Sequence, residues 1–402
     1  MSNHERACPA STPISHNWAR SFCALLLINL IGCTTLVPTP PSPTTLATHN
    51  TLIYWQDEAL ALIKKYQTNA VRASRVLAYL HQGIDQTLMG EPLTACHDQA
   101  IAQVSAELLN HFFPQETPGR LHAKALLQTR AEEVAACERA RVQALAVAQN
   151  TIAIALQDGV YPPRRIRVNP APRLGSWQPT PPTNSLNPTE PYAGEWRPLA
   201  LDNMARIRLA PPPAADTAPY REAIEEIIAL RKTLTPEQKK QAESWHLEAG
   251  SVTPAGVWNL KLRDWLRQTA EAGSTPSQTA RFLAALNTAM YDAFIACWHG
   301  RYTHWVERPY TAAQRIGATD FQPWLITPSF PGYPSGLACT SGAAASVVGA
   351  YLPAHTAAVN TWAKEAATSR LYGGVHFRFD IEAGLDLGRQ VGGIVIEKRP
   401  PQ

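Results

Sequence analysis

A proline inside a helix or a central strand removes a backbone donor and clashes with the preceding turn, so the distribution of prolines divides a chain before any other feature does. Of the 34 prolines in this 402-residue sequence, fourteen fall between 161 and 219, from Pro162 to Pro219. That stretch is expected to be a long irregular excursion. A loop of such length usually serves a site or wraps a surface, and Trp177, Tyr192 and Trp196 are expected to pin it to the body of the molecule. On both sides the apolar residues recur at three- and four-residue spacing, the pattern of amphipathic helices. An N-terminal helical half is expected over 51–160, with 70–87 and 131–156 as its clearest runs. A C-terminal half is expected over 220–402, with helices over 220–232, 276–298, 337–351 and 377–397. Thr235-Pro236-Glu237 reads as an N-cap with proline at the first helical position, opening a further helix toward Trp245. Alternating strand patterns and repeats are absent, so the expected fold is all-α, a helical bundle with a long Pro-rich connecting loop.

An apolar share of 45% excludes a wholly disordered chain, and a net charge of +4 with 17% charged residues is too weak to argue for a nucleic-acid partner. Residues 22–31 form an apolar run preceded by Arg20, too short to span a bilayer but suited to the core of a signal peptide. The run ends in Leu30-Ile31-Gly32-Cys33, which resembles the bacterial lipobox. Residues 1–32 are therefore expected to be a lipoprotein-type signal peptide, Cys33 the lipidated residue, and 33–50 a Pro/Thr-rich tether. The corresponding location is the bacterial cell envelope, lipid-anchored and extracytoplasmic. Cys96, Cys137, Cys297 and Cys339 remain, with no C-x-x-C pair to suggest a zinc site. Cys96 and Cys137 are both in the N-terminal half and able to form a disulfide; Cys297 and Cys339 read as small buried hydrophobes.

Three segments in the last hundred residues share one chemistry. Arg301 and Arg308, seven apart and followed by Pro309, offer planar forks that match tetrahedral oxyanions. Pro334-Ser335-Gly336 places a hydroxyl and free backbone N–H groups at a helix start, where the helix dipole favours an anion. In Ser369-Arg370-Leu371-Tyr372-Gly373-Gly374-Val375-His376, followed by Asp380, the two glycines allow close backbone approach. His376 and Asp380 are four apart, and on a helix both would face one way, so the carboxylate would hold one ring nitrogen's proton and leave the other free as nucleophile or ligand. Stripes of small residues, Gly384/Gly388/Gly392 and Gly342/Ser346/Gly349, would let the helices that frame this pocket approach closely.

These segments resemble the three motifs of the phosphatidic acid phosphatase type 2 / vanadium-dependent haloperoxidase superfamily, K-x6-R-P, P-S-G-H and S-R-x5-H-x3-D. The wording is closest to the bacterial haloperoxidase branch, in Tyr333-Pro334-Ser335-Gly336 and in Arg370 to Asp380. The likeness extends to Arg75–His81, Asp158-Gly159, Trp177–Thr180 and Thr235–Asn259. It implies a pocket that holds vanadate or phosphate. His376 would bind vanadium, supported by Asp380, with Arg301, Arg308, Ser335, Gly336 and Arg370 around the oxygens and hydrogen peroxide and halide as substrates. In the phosphatase reading His376 is the nucleophile and the substrate a phosphate ester.

Two positions depart from the motifs. Arg301 stands where the family has Lys, which exchanges a point-like ammonium for a broad fork. Leu337 stands where the family has the acid–base His of P-S-G-H. Because such groups contribute about 10²–10⁴-fold, activity is expected to be impaired. His304 and His355 are the nearby candidates to substitute in sequence; Cys339, about 200° round the helix from Leu337, should point elsewhere. Three readings follow: an impaired haloperoxidase, a phosphatase, and a non-catalytic oxyanion-binding envelope lipoprotein.

Overall fold

The computed structural model describes residues 43–89, 96–117, 119–127, 137–161 and 170–401. The expected signal peptide, and with it Cys33, lies outside the described residues. The first half contains α1 (Pro43–Lys65), α2 (Ala70–Leu88), α3 (His97–Phe112), α4 (Arg120–Leu127) and α5 (Glu138–Ala155). The second contains α6 (Ala218–Thr233), α7 (Pro236–Ser244), α8 (Thr253–Lys261), α9 (Arg263–Glu271), α10 (Pro276–His304), α11 (Pro309–Arg315), α12 (Gly336–Tyr351), α13 (Thr356–Tyr372) and α14 (Arg378–Lys398). Among the described residues there is no strand, only one isolated antiparallel bridge between Ser176 and Val306. None of the described helices is long and apolar enough to cross a membrane.

One expectation about the N-terminal half is corrected. The tether does not run to residue 50, because α1 is helical from Pro43; proline at a helix start costs nothing, since its missing N–H would be unpaired there anyway. The two helical halves share one body. The described residues belong to one compact unit, with α2 packed along α10 and one hydrophobic core shared by both halves. Within the first half, Cys96 and Cys137 are disulfide-bonded, joining the start of α3 to the start of α5. A buried ion pair from Arg75 Nε to Asp158 Oδ2 (2.6 Å), with Tyr79 donating to the same oxygen, ties α2 to the turn after α5.

The centre of the molecule is α10. Its sequence is apolar or small on all sides, the composition of a helix surrounded by others. A capping box between Thr275 and Gln278 starts it, and Trp305, in the left-handed conformation with its N–H on the Arg301 carbonyl, ends it. The chain thus turns sharply between Arg301 and Arg308. The Pro-rich excursion, described from residue 170, is fastened to this helix. Trp177 N–H donates to the Trp305 carbonyl (2.7 Å), Tyr302 Oη to the Thr189 carbonyl (2.7 Å), and the N–H groups of Leu199, Ala200 and Leu201 all converge on the buried Asp292 carboxylate at 2.8 Å.

Helices α12 and α14 cross at backbone distance. A Cβ added to Gly388 would lie 2.1 Å from the Cys339 carbonyl oxygen, and one added to Gly342 would lie 2.4 Å from that of Leu385. Only the small stripes permit this crossing, and at its N-terminal end Ser335 N–H donates to the Asp380 carbonyl (2.9 Å). Gly388→Ala must therefore push the helices apart. It should lower stability by about 1–3 kcal/mol in urea unfolding and weaken oxyanion affinity along with it; an unchanged midpoint would show that the crossing tolerates separation.

His81, in the middle of α2, is fully buried, and neither ring nitrogen has a hydrogen-bond partner. Burial alone pushes its pKa down from 6.5 to about 3. Because the unfolded chain binds this proton at a higher pH than the folded one, the stability tied to a neutral His81 is complete above pH 6.5 and is lost as pH falls toward 3. Between pH 7 and pH 5 the stability of His81→Leu should improve relative to wild type by about 2 kcal/mol. Unfolding curves of both proteins at the two pH values measure this; a pH-independent difference would contradict it.

Candidate oxyanion site

The three motif segments converge. Arg301 sits in the last turn of α10, Arg308 immediately before α11, Ser335 and Gly336 at the start of α12, Arg370 near the end of α13, and His376 and Asp380 at the start of α14. Helix α13, which carries Ser369 and Arg370, is absent from the helices expected by sequence. Gly374, with φ of +72°, turns the chain back toward Pro323, where a Cβ would meet the Pro323 Cα at 3.0 Å; this turn brings His376 round to Arg308.

The His376–Asp380 pair forms, but not along a helix as the spacing argument supposes. His376 precedes α14, and Asp380 is in that helix's first turn. From there the Asp380 carboxylate accepts both His376 Nδ1–H and Phe377 N–H, each at 3.0 Å, through Oδ2. One carboxylate thus satisfies a helix start and sets a tautomer. His376 Nε2 faces Arg308 Nη1 at 3.0 Å, a group that can only donate, so Nε2 carries the lone pair. Burial, reinforced by the charges of Arg308, Arg301 and Arg370, pushes the His376 pKa well below its usual value and keeps the ring neutral. Burial pushes the Asp380 carboxyl up, opposed by the Phe377 N–H and by Arg308 and Arg301.

All three arginines are buried, Arg308 completely. Their backbone contacts fix them in place. Arg301 Nη1 donates to the Pro331 carbonyl (2.6 Å), Arg308 Nε to that of Phe330 (2.8 Å), and Arg308 Nη1 to that of Val375 (2.7 Å). The Arg301 guanidinium also lies against the rings of Trp298 and Phe330, at 4.7 and 4.6 Å from their centroids, while the two rings pack on each other at 5.3 Å. Gly336 is pressed against it, since a Cβ there would come within 3.2 Å of Arg301 Nη2. Burial first, and then neighbouring positive charge, pushes the pKa of Arg308 down; Arg370 is pushed down as well, by burial and by Arg301. Guanidinium does not lose its proton in proteins, so this pressure is electrostatic cost that a bound anion would relieve.

Three buried polar atoms capable of donating have no partner: Ser335 Oγ, Arg301 Nε and Arg308 Nη2. Buried donors in native proteins are almost always satisfied, so a cluster of three beside His376 fits a tetrahedral oxyanion such as vanadate or phosphate. Among the described residues there is no cluster of His, Cys, Asp or Glu suited to a bare metal cation. A cavity of about 410 Å³ opens above the site. Arg301, Gly336, Arg370 and His376 contribute to its wall, and so do Leu337 and the rings of Phe294, Trp298 and Phe330.

A family model for the VCPO second helical-bundle domain matches residues 281–360 and 353–400, the part that holds every one of these motif residues. The whole chain is also similar to solved structures. A bacterial vanadium-dependent iodoperoxidase superposes with a TM-score of 0.75 at 24% identity, covering 90% of this chain and 97% of that one. Two structures of bacterial vanadium-dependent chloroperoxidase follow. The holo form has a TM-score of 0.63 at 17% identity over 90% and 95% of the two chains, and the apo form 0.65 at 15% over 92% and 97%. The fold is that of the vanadium haloperoxidase superfamily. No curated protein sequence matches the chain.

Within this vanadium haloperoxidase fold, Leu337 lies on the cavity wall and packs against Trp245 and Ala366, an apolar contact where the motif has an imidazole. Neither histidine considered as a substitute lines the cavity. The His304 ring packs edge-on against Tyr333, and the His355 ring stacks on Trp265 with 3.8 Å between centroids. Cys339 is buried beside Cys297, away from the cavity. Residues that motif reasoning missed are Trp298 and Phe330, whose rings Arg301 lies against, and His246, which lines the cavity from the chain after α7. Spacing carries no signal for any of them.

Asp380→Ala removes the acceptor that orients His376 and leaves Phe377 N–H unpaired. Affinity for inorganic phosphate, measured by calorimetry, should fall by about 10–100-fold with helicity retained. Unchanged affinity would mean that the His376 tautomer does not depend on Asp380.

Proposed function

We propose that this protein is a vanadium-dependent haloperoxidase-type enzyme that binds vanadate through His376, oxidises halide with hydrogen peroxide, and is slowed by Leu337. The observation that carries this reading is the His376 Nε2 lone pair, held by Asp380 on the other ring nitrogen and ringed by three buried arginines. The structural relatives are named as vanadium-dependent iodoperoxidase and chloroperoxidase, which supports the assignment of cofactor and reaction class. Vanadate, when bound, supplies Lewis-acid activation of peroxide toward attack by halide. The chain's own residues do the rest. Arg301, Arg308 and Arg370, with Ser335 Oγ and the Gly336 N–H, would hold the oxygens and disperse their charge. The aromatic rings of the cavity wall exclude water around them.

The same donor set would hold phosphate, and His376 is then placed as a nucleophile; phosphomonoester hydrolysis is the assay that separates this alternative. The location proposed is the cell envelope by way of lipidated Cys33, and the Cys96–Cys137 disulfide favours an oxidising compartment.

Orthovanadate should raise the thermal midpoint of the purified protein, and His376→Ala should abolish the shift. Iodide or bromide oxidation with peroxide should be measurable in wild type and should rise at least about tenfold in Leu337→His. Absence of any vanadate-dependent shift, or a shift that survives His376→Ala, would overturn the assignment.

A further inference from the structure

Leu337 deprives the cavity of a proton carrier at the start of α12, yet another imidazole stands on the same wall. His246 lines the cavity together with Leu337, Arg370 and His376. Its side chain is half-buried, and its Nε2 is sealed from solvent with no hydrogen-bond partner in the protein. A buried ring nitrogen without a partner is unfavourable unless a ligand satisfies it.

The neighbours of His246 connect it to both halves of the problem. Trp245 packs on Leu337, the residue that replaces the acid–base group. The Trp245 carbonyl accepts from Arg370 Nη1 at 3.5 Å, and the Glu248 carboxylate lies 3.8 Å from Arg370 Nη2. The 245–248 segment is thus attached to an arginine of the oxyanion cluster, with His246 inside it.

We propose that His246 hydrogen-bonds an oxygen of the oxyanion held at His376 and performs the proton transfer that Leu337 cannot. This rests on the oxyanion-binding part of the function proposed above. Burial, with the Arg370 charge and against that of Glu248, keeps the ring neutral near pH 7. A neutral imidazole takes the proton of an incoming hydroxyl on its free nitrogen and returns it to the departing oxygen, so the ring ends each cycle as it began.

The test has a binding arm and a turnover arm. Histidine-selective 1H–15N spectra of the purified protein are recorded with inorganic phosphate and then with orthovanadate, the His246 signals being assigned by their loss in His246→Gln. The His246 ring signal should move on saturation with either anion, together with that of His376. In halide oxidation, His246→Gln should lower kcat by about 10²-fold or more while KM for halide and the vanadate dissociation constant stay within a few-fold. Adding Leu337→His to that variant should recover turnover by a larger factor than Leu337→His achieves alone. His355→Gln, remote from the cavity, should leave turnover unchanged. A His246 signal that stays fixed while that of His376 moves overturns the proposal and leaves the oxyanion site standing, and so does an unchanged kcat in His246→Gln. If both signals move but no halide is oxidised, the enzyme assignment fails and the His246 contact stands. If neither anion moves any signal, both fall.

Discussion

Three guanidinium groups are buried within one small volume, and the carboxylates near them cannot balance their charge. Asp380 gives one oxygen to His376 and to the start of α14, and Glu248 stands 3.8 Å from Arg370 in an exposed position, so two carboxylates face three guanidinium groups. Burying like charges together without compensation is among the costliest arrangements a fold can hold. The fold holds it here by fixing each arginine to backbone carbonyls and, for Arg301, against two aromatic rings. A tetrahedral oxyanion would satisfy the unpartnered Ser335, Arg301 and Arg308 atoms and offset the charge in one event.

The rest of the molecule makes sense as the frame for that cluster. Helix α10 needs a long apolar surface on every side because it delivers Arg301 to the centre of the bundle. The glycine stripe of α14 against α12 lets Ser335 donate to the Asp380 backbone, which locks two of the three motif segments into one unit. The Pro-rich excursion, limited to two single 3-10 turns at Ala193–Glu195 and Met204–Arg206 among its described residues before α6, is used as a strap. It is hydrogen-bonded along α10 and reaches the cavity rim at Thr183 and Thr189. Of the two departures from the motifs, Leu337 puts a packing contact with Trp245 where the motif has an imidazole.

Much of this was legible in the sequence. The helical spacing and the Pro-rich break identify the bundle, and the three motif segments pick out side chains that the fold brings together, because those features depend on local geometry and on residue chemistry. The His376–Asp380 pairing was legible as a contact but not as a geometry: the spacing of four fits a helix face, whereas the real contact spans a helix start and doubles as its cap. The helical start of α1 within the expected tether was obscured because a proline at a helix N-terminus looks the same in sequence as one in a linker. His246 was not legible at all. Its relation to Leu337 exists only through the packing of Trp245, which no local pattern encodes.

The most direct measurement of the central claim is a crystal structure of the protein grown with orthovanadate. It should show vanadium bonded to His376 Nε2 and its oxygens within hydrogen-bond distance of Arg301, Arg308, Arg370 and Ser335 Oγ. A site that stays empty at saturating vanadate, or vanadate bound elsewhere with the three guanidinium groups unchanged, would contradict it.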